Sequence, residues 1–232
     1  MVPGRGADVS DRVGTTRGRG RPHARVLTRD RITDSAMSRV STHDYRSLTM
    51  SALAKDLGVS ASALYNHVSS KRDVLILIQE RLNAQIDCSG FGMEAWDLAL
   101  KRWAHSYRER FIHHTALIPT VAVLPVADSP ETLRMYETVA SGLQGAGFAE
   151  ADVVDIIVGV ESLIFGAAYD ASSPADIFDP GADAEAAPTF ARLASSRSGD
   201  ARAAAGRAFS LTLDALVEGL RGRLSIGPAV RA

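Results

Sequence analysis

Apolar positions recur at three- and four-residue intervals along most of this chain, and no alternating run is long enough to build a sheet. From residue 28, Ile32, Ala36, Met37 and Val40 form the buried side of a first helix. Leu53, Ala54 and Leu57 fall on one face of a short second helix, with Ser51, Lys55 and Asp56 outside it. Thr49 caps that helix, and Gly58 follows its last apolar residue, where a helix end needs positive φ. Val59 turns inward. Ser60 caps a third helix over 60–68 that buries only Leu64 and Val68. A fourth continues over 70–87 through Val74, Leu75, Ile78 and Leu82, until Cys88-Ser-Gly-Phe-Gly breaks it. The fold class is therefore all-α.

The remaining helices are punctuated by proline and glycine. Residues 93–112 carry Trp96, Leu100, Trp103, Tyr107 and Phe111 at helical spacing. Pro119 and Pro125 restrict 116–126 to one short helix with an irregular exit. Ser129-Pro130-Glu131 starts a helix over 130–144, with serine as its cap, and Gly145-Ala-Gly147 ends it. Residues 149–169 are apolar on more than one face, residues 171–188 read as a mobile loop, and 201–224 form a last amphipathic helix before a flexible tail at 225–232. Pairing 149–169 with 201–224 leaves apolar surface for a second copy, with Gly159 and Gly166 permitting close approach; an extra helix of a monomer would cover the same face.

The third helix carries the first candidate chemistry. Ala61, Ser62, Ala63, Tyr65, Asn66 and His67 point mostly outward, a small polar face suited to the major groove of double-stranded DNA. Lys71 and Arg72 open the next helix beside the phosphates, where they add affinity rather than discrimination. Thr49 and Ser51 complete the DNA-contacting set. Such a helix-turn-helix pattern is degenerate, and two short helices of an all-α core would also satisfy it.

Thr49, Ala54, Leu57-Gly58-Val59, Leu64-Tyr65-Asn66-His67-Val68 and Lys71-Arg72-Asp73-Val74-Leu75 make the string more specific. It resembles the N-terminal DNA-binding domain of the TetR family of bacterial transcriptional regulators, and the likeness extends over roughly residues 28–87. One departure lies between the first two helices, where the family usually has glycine and this chain has Ser-Thr-His-Asp44-Tyr45-Arg-Ser. Asp44 is then the expected occupant of the left-handed turn, with Tyr45 in the inward slot. The resemblance implies a homodimer whose last long helices, 149–169 and 201–224, form a four-helix bundle around which middle helices enclose a ligand pocket. The expected domains are a DNA-binding unit over 28–75 (motif 48–67) and a helical ligand-binding and dimerisation unit over 76–224. Trp103, Tyr107, His114, Tyr136, Glu161 and Phe165 lie on the helices expected around that pocket. The aromatics among them also fit ordinary core packing. Glu161, inside Val-Gly-Val-Glu-Ser-Leu-Ile, needs a partner if buried, either a cationic ligand or an Arg or Tyr of a neighbouring helix.

Composition adds an N-terminal arm and removes several function classes. A net charge of -1 hides Arg5, Arg12, Arg17, Arg19, Arg21 and Arg25 against Asp8 and Asp11 before residue 28. Residues 1–27 are expected to be disordered, and Arg17-Gly-Arg19-Gly-Arg21-Pro resembles the minor-groove core of an AT-hook; a plain solvated tail is the other reading. The lone Cys88 excludes a disulfide framework, and the adjacent His113-His114 is a poor metal pair, so neither metal nor cofactor is expected. With no membrane span or signal peptide, the expected setting is the bacterial cytoplasm, at the nucleoid. The resulting expectation is a dimeric, effector-responsive regulator, a repressor by family precedent, on an approximately palindromic operator. Two rivals are an architectural DNA protein led by the arginine arm and a helical enzyme using Glu161, His105 or His114, although no nucleophile, phosphate or metal motif supports the latter.

Overall fold

The computed structural model describes residues 26–197 and 200–226, and every regular element within them is helical. Arg19 and Arg21 of the expected arm lie outside the described residues, as does the tail beyond Ile226.

Local hydrogen bonds set the boundaries of the N-terminal helices. In α1 (Arg29–His43), Thr28 caps the start by accepting the Arg31 N–H at 3.2 Å, and Ile32, Ala36 and Val40 are buried. Asp44 then takes φ 93 and ψ 170, a positive φ as expected but outside the left-handed helical well, in a region that costs a non-glycine residue about 1–3 kcal/mol. Its carboxylate holds the turn by accepting the Ser47 N–H at 3.1 Å, and its carbonyl accepts the Ser47 hydroxyl at 2.7 Å. Thr49 caps α2 (Met50–Leu57) through the Ala52 N–H, and Gly58 ends it at φ 68, ψ 33. There the Gly58 and Val59 N–H groups close on the Lys55 and Ala54 carbonyls at 3.1 and 3.0 Å.

The third helix, α3 (Ala61–Tyr65), is shorter than the expected 60–68. Ser60 caps it, but His67 and Val68 both donate to the Leu64 carbonyl, at 3.0 and 3.2 Å, and this tightens the last turn. A reciprocal capping box starts α4 (Lys71–Asn83): the Asp73 N–H donates to Ser70 Oγ, and the Ser69 N–H donates to the Asp73 carboxylate. This helix stops at Asn83 rather than 87. The buried Asn83 side chain is turned toward the body, where its amide donates to Thr132 Oγ1 at 2.9 Å.

The body contains α5 (Trp96–Phe111), α6 (Ile118–Val121), α7 (Pro130–Gly145), α8 (Glu150–Asp170), α9 (Pro188–Ser195) and α10 (Ala201–Ile226). α8 packs between α5 and α10, and α7 bridges α8 to α4. One apolar core runs from Ile32 in α1, through Trp103, Phe111 and Val160, to Leu220 in α10. Four expectations change here. Residues 116–126 form a 3-10 turn (Thr115–Leu117) followed by the short α6, with Pro119 in its first turn, where no N–H is needed. The segment expected to be a mobile loop contains a 3-10 turn at Gly181–Ala186 and runs into α9. The final helix reaches Ile226, two residues into the expected tail. Ser129 makes no side-chain cap on α7; that role passes to Glu80 of α4. Among the described residues, no helix is long and apolar enough to cross a membrane.

Candidate nucleic-acid interface and ligand site

Leu64 and Val68 anchor α3 in the head at 0% and 4% exposure, and this fixes which side faces out. Ala61, Ser62, Tyr65 and Asn66 are exposed, while Ala63 and His67 are half-buried at the edge of that face. Tyr65 keeps half its surface open, which is unusual for a large ring that could have packed. Thr49 and Ser51 are exposed beside it, their hydroxyls 3.4 Å apart.

The two expected phosphate cations differ. Arg72 is exposed, but Lys71 is docked on Tyr45: its Nζ lies 3.8 Å from the ring centroid and 3.4 Å from the Tyr45 carbonyl. Its charge stays at the rim of the face in a fixed position rather than on a free tether. Arg46, next to Tyr45 in the segment that replaces the family glycine, is a further exposed cation on the head. The head is braced by Arg39 across Asp56 at 2.6 and 2.8 Å, joining α1 to α2, and this pairing holds the Asp56 carboxyl below the usual range. Arg81 of α4 reaches Asp34 and Asp30 of α1 at 2.9 and 2.6 Å.

In the body, five of the six expected ligand residues form one cluster. Glu161 Oε1 accepts the Tyr107 hydroxyl at 3.1 Å and the Tyr136 hydroxyl at 2.8 Å. Phe165 stands edge-on to Tyr107 at 5.6 Å, and Trp103 also packs against Tyr107 at 5.6 Å. Phe111, closing on Tyr107 and Phe165, joins the wall. Burial raises the Glu161 carboxyl above the ordinary carboxylate range, against the opposing pull of the two hydroxyls. Both tyrosines are raised, first by burial and then by the neighbouring acid. Trp103 is fully buried with its indole N–H unpartnered. The sixth residue, His114, lies past the end of α5; burial, then His113 and Arg110, lower its pKa.

Other features were not legible in advance. The joint between head and body is a carboxylate cap: Glu80 of α4 accepts the Glu131 N–H at 2.8 Å, the Thr132 N–H at 3.1 Å and the Thr132 hydroxyl at 3.0 Å. A cavity of about 610 Å³ lies under the segment 171–197, lined by Asp170, Ile177, Phe178 and Arg197 but by none of the expected ligand residues. Arg197 sits 4.6 Å over the Phe178 ring and 4.0 Å from Asp170. His105 packs edge-on against Phe209, and no hydrogen bond joins Glu161 to a histidine among the described residues. Cys88 has its thiol pushed up to about 11 by burial and Asp87, which leaves it protonated at neutral pH.

Comparison with known proteins covers both halves. The family described as bacterial regulatory proteins, tetR family, matches residues 32–78, and tetracyclin repressor-like, C-terminal domain, matches residues 92–224. An HTH-type transcriptional regulator of Saccharopolyspora erythraea is 28% identical over 141 residues, 61% of this chain and 59% of that protein. The HTH-type transcriptional repressor DrrR1 of Streptomyces coeruleorubidus is 24% identical over 144 residues, 62% of this chain and 53% of that one. The chain thus spans little more than half the length of these curated relatives. The crystal structure of the TetR family protein ActR of Streptomyces coelicolor in complex with actinorhodin superposes with a TM-score of 0.71 at 23% identity, covering 86% of this chain and 99% of that one. At that identity the superposition establishes the shared fold.

Proposed function

The chain belongs to the TetR family of bacterial regulatory proteins, and from that premise we propose that it is a transcriptional repressor released from an approximately palindromic operator by a small molecule. The observation that carries this reading is the outward face of α3, which leaves Ser62, Tyr65 and Asn66 free while Leu64 and Val68 lock the helix beneath them. Ser62, Asn66 and His67 read base edges, Tyr65, Thr49 and Ser51 contact the backbone, and Arg72, Arg46 and the docked Lys71 supply phosphate affinity. Arg19 and Arg21 add minor-groove contact.

Two heads reach successive major grooves only in a dimer, and α8 and α10 offer the surface for one. Val154, Val158, Gly159 and Gly166 of α8 and Ala208, Leu211, Ala215 and Gly219 of α10 are exposed in a single chain. No neighbouring atom lies within 4 Å of where a Cβ would stand on either α8 glycine.

We place the effector at the Glu161 cluster rather than in the 610 Å³ cavity. In that cavity Arg197 and Asp170 already face each other, whereas Glu161 combines aromatic walls with a polar handle. The cluster joins α5, α7 and α8, and the start of α7 is fastened to α4 by Glu80. An effector that shifts α7 therefore pulls on the helix that begins at Lys71, beside the reading face. The equilibrium moves by no more than the ligand's differential affinity for the two states. ActR with actinorhodin and the repressor DrrR1 support the class, not the compound.

A mobility-shift assay on the DNA upstream of the chain's own gene tests the reading. Tyr65→Ala combined with His67→Ala is expected to abolish the shift while size-exclusion chromatography still gives a dimer, and an unchanged footprint overturns it. Deleting residues 1–27 is expected to lower affinity and shrink the salt slope by about 1–3, with sequence preference retained.

A further inference from the structure

Among the described residues, Glu161 is a charge site without a countercharge. Three acids of α8 are half-buried, Asp152, Glu161 and Asp170, and two of them face a guanidinium: Arg223 at 3.8 Å and Arg197 at 4.0 Å. Along the α5–α10 seam, Asp97, Glu109 and Asp214 are likewise matched by Arg221, Arg202 and Lys101. Among the described residues, Glu161 has only the Tyr107 hydroxyl from α5 and the Tyr136 hydroxyl from α7, both on Oε1, and no lysine, arginine or histidine acts on it. A carboxylate offers about four acceptor positions, so most of its capacity is unused.

The surroundings are equally one-sided. Tyr136 and Phe165, both half-buried, bring aromatic rings to the neighbourhood of the acid, and such rings attract a cation most strongly where water is excluded. Glu161, Tyr136 and Phe165 keep some exposure while Trp103 and Tyr107 are buried, so the acid stands at the accessible edge of the cluster. A neutral or anionic guest here would strip water from the carboxyl and return no compensating charge.

We propose that the effector recognised at Glu161 is a cation, an amine or quaternary ammonium on an aromatic frame, with its charge held between the Glu161 carboxylate and the rings of Tyr136 and Phe165. The inference rests on the effector-responsive reading above and names the ligand class of that same site. The hydroxyls of Tyr107 and Tyr136 keep the carboxylate aimed while the ring walls select an apolar frame.

Titration calorimetry on the full chain with benzyltrimethylammonium and with neopentylbenzene, its neutral carbon isostere, isolates the charge. The cation is expected to bind at least about tenfold more tightly than the isostere, a difference of about 1.4 kcal/mol. Glu161→Gln is expected to erase that preference, and Tyr136→Phe to reduce the cation's affinity several-fold. Equal binding of cation and isostere by the natural chain, absence of cation binding, or full cation affinity in Glu161→Gln overturns the proposal; the first two need no variant to fold. A mobility shift in parallel separates the two levels. If the chain binds its operator but the charge preference is absent, the cationic class falls and the repressor reading stands. If the preference is present but no DNA is bound, the cation site stands and the repressor reading falls.

Discussion

In the head, α1, α2, α3 and α4 are each started by a serine or threonine that accepts an N–H from three residues downstream. In the body, α5, α7, α8 and α9 lack such a side-chain cap, and α7 takes its cap from Glu80, some fifty residues upstream. The head starts each of its helices from a neighbouring side chain and leaves a polar face open to solvent. The body draws Glu161 and Arg108 inward and depends on distant partners, with two guanidinium nitrogens of Arg108 making no hydrogen bond among the described residues. A locally closed unit keeps its shape when its surroundings move, and a reading head requires that. A body closed by long-range contacts can change arrangement when a guest alters one of them.

The most forceful way to break this contrast is to damage the body. Trp103→Ala removes a fully buried indole from the centre of the α5 wall and is expected to cost about 3–5 kcal/mol in denaturant unfolding. If the head is locally closed, amide exchange in α1 to α4 stays slower than in α5 and α8 of the same variant. Uniform loss of protection would show instead that the continuous core from Ile32 to Leu220 makes the molecule a single cooperative unit.

Next in size is the joint. Glu80→Ala removes the acceptor from the Glu131 and Thr132 N–H groups, and charge-assisted bonds of this kind contribute about 1.5–3 kcal/mol. Operator affinity is expected to survive, because the α3 face is untouched, while release by effector weakens in the mobility shift. If release is unchanged, the signal does not pass through α7 and α4.

The same difference in contact range explains how much could be read in advance. Thr49, Gly58, Ser60 and the Leu64/Val68 pair are short-range signals, and each is found where the pattern puts it. Asp44 was legible as the positive-φ residue because few side chains tolerate that turn, although its ψ was not. Glu80 carries no local signature of capping a helix fifty residues away, so the Ser129-Pro130 start misdirected the cap. α9 escaped because it spans only eight residues behind Pro188, too short a run for helical periodicity to stand out. The pairing of Glu161 with tyrosines was legible only as the need for a partner.

A smaller effect separates the regions by pH. Burial holds the Glu161 carboxyl above its unfolded value, so between the two values the folded chain binds more protons than the unfolded one and stability falls as pH rises. The slope from a single group is at most about 1.4 kcal/mol per pH unit. Asp73 of the head acts in the opposite sense. Bonds from Ser69 and Ser70 lower its pKa, and the stability they confer is lost as pH falls through the folded value. Denaturant midpoints measured across the acid range are expected to lose the falling limb in Glu161→Gln and the rising contribution in Asp73→Asn; if both profiles stay unchanged, neither group titrates differently on folding.

The finest discrimination comes from a single cap. Ser60→Ala leaves the Ala63 N–H without its acceptor at the start of a five-residue helix, at a cost of about 1 kcal/mol. Because that bond spans only three residues, the loss should remain within α3. Exchange is expected to quicken at Ala63 and Leu64 and operator affinity to fall several-fold, with the protection of α7 and α8 unaltered. Equal loosening of α7 would mean that α3 is held by the body through α4, and the Glu80 joint would then transmit disorder upward from the head as readily as it carries an effector's signal down.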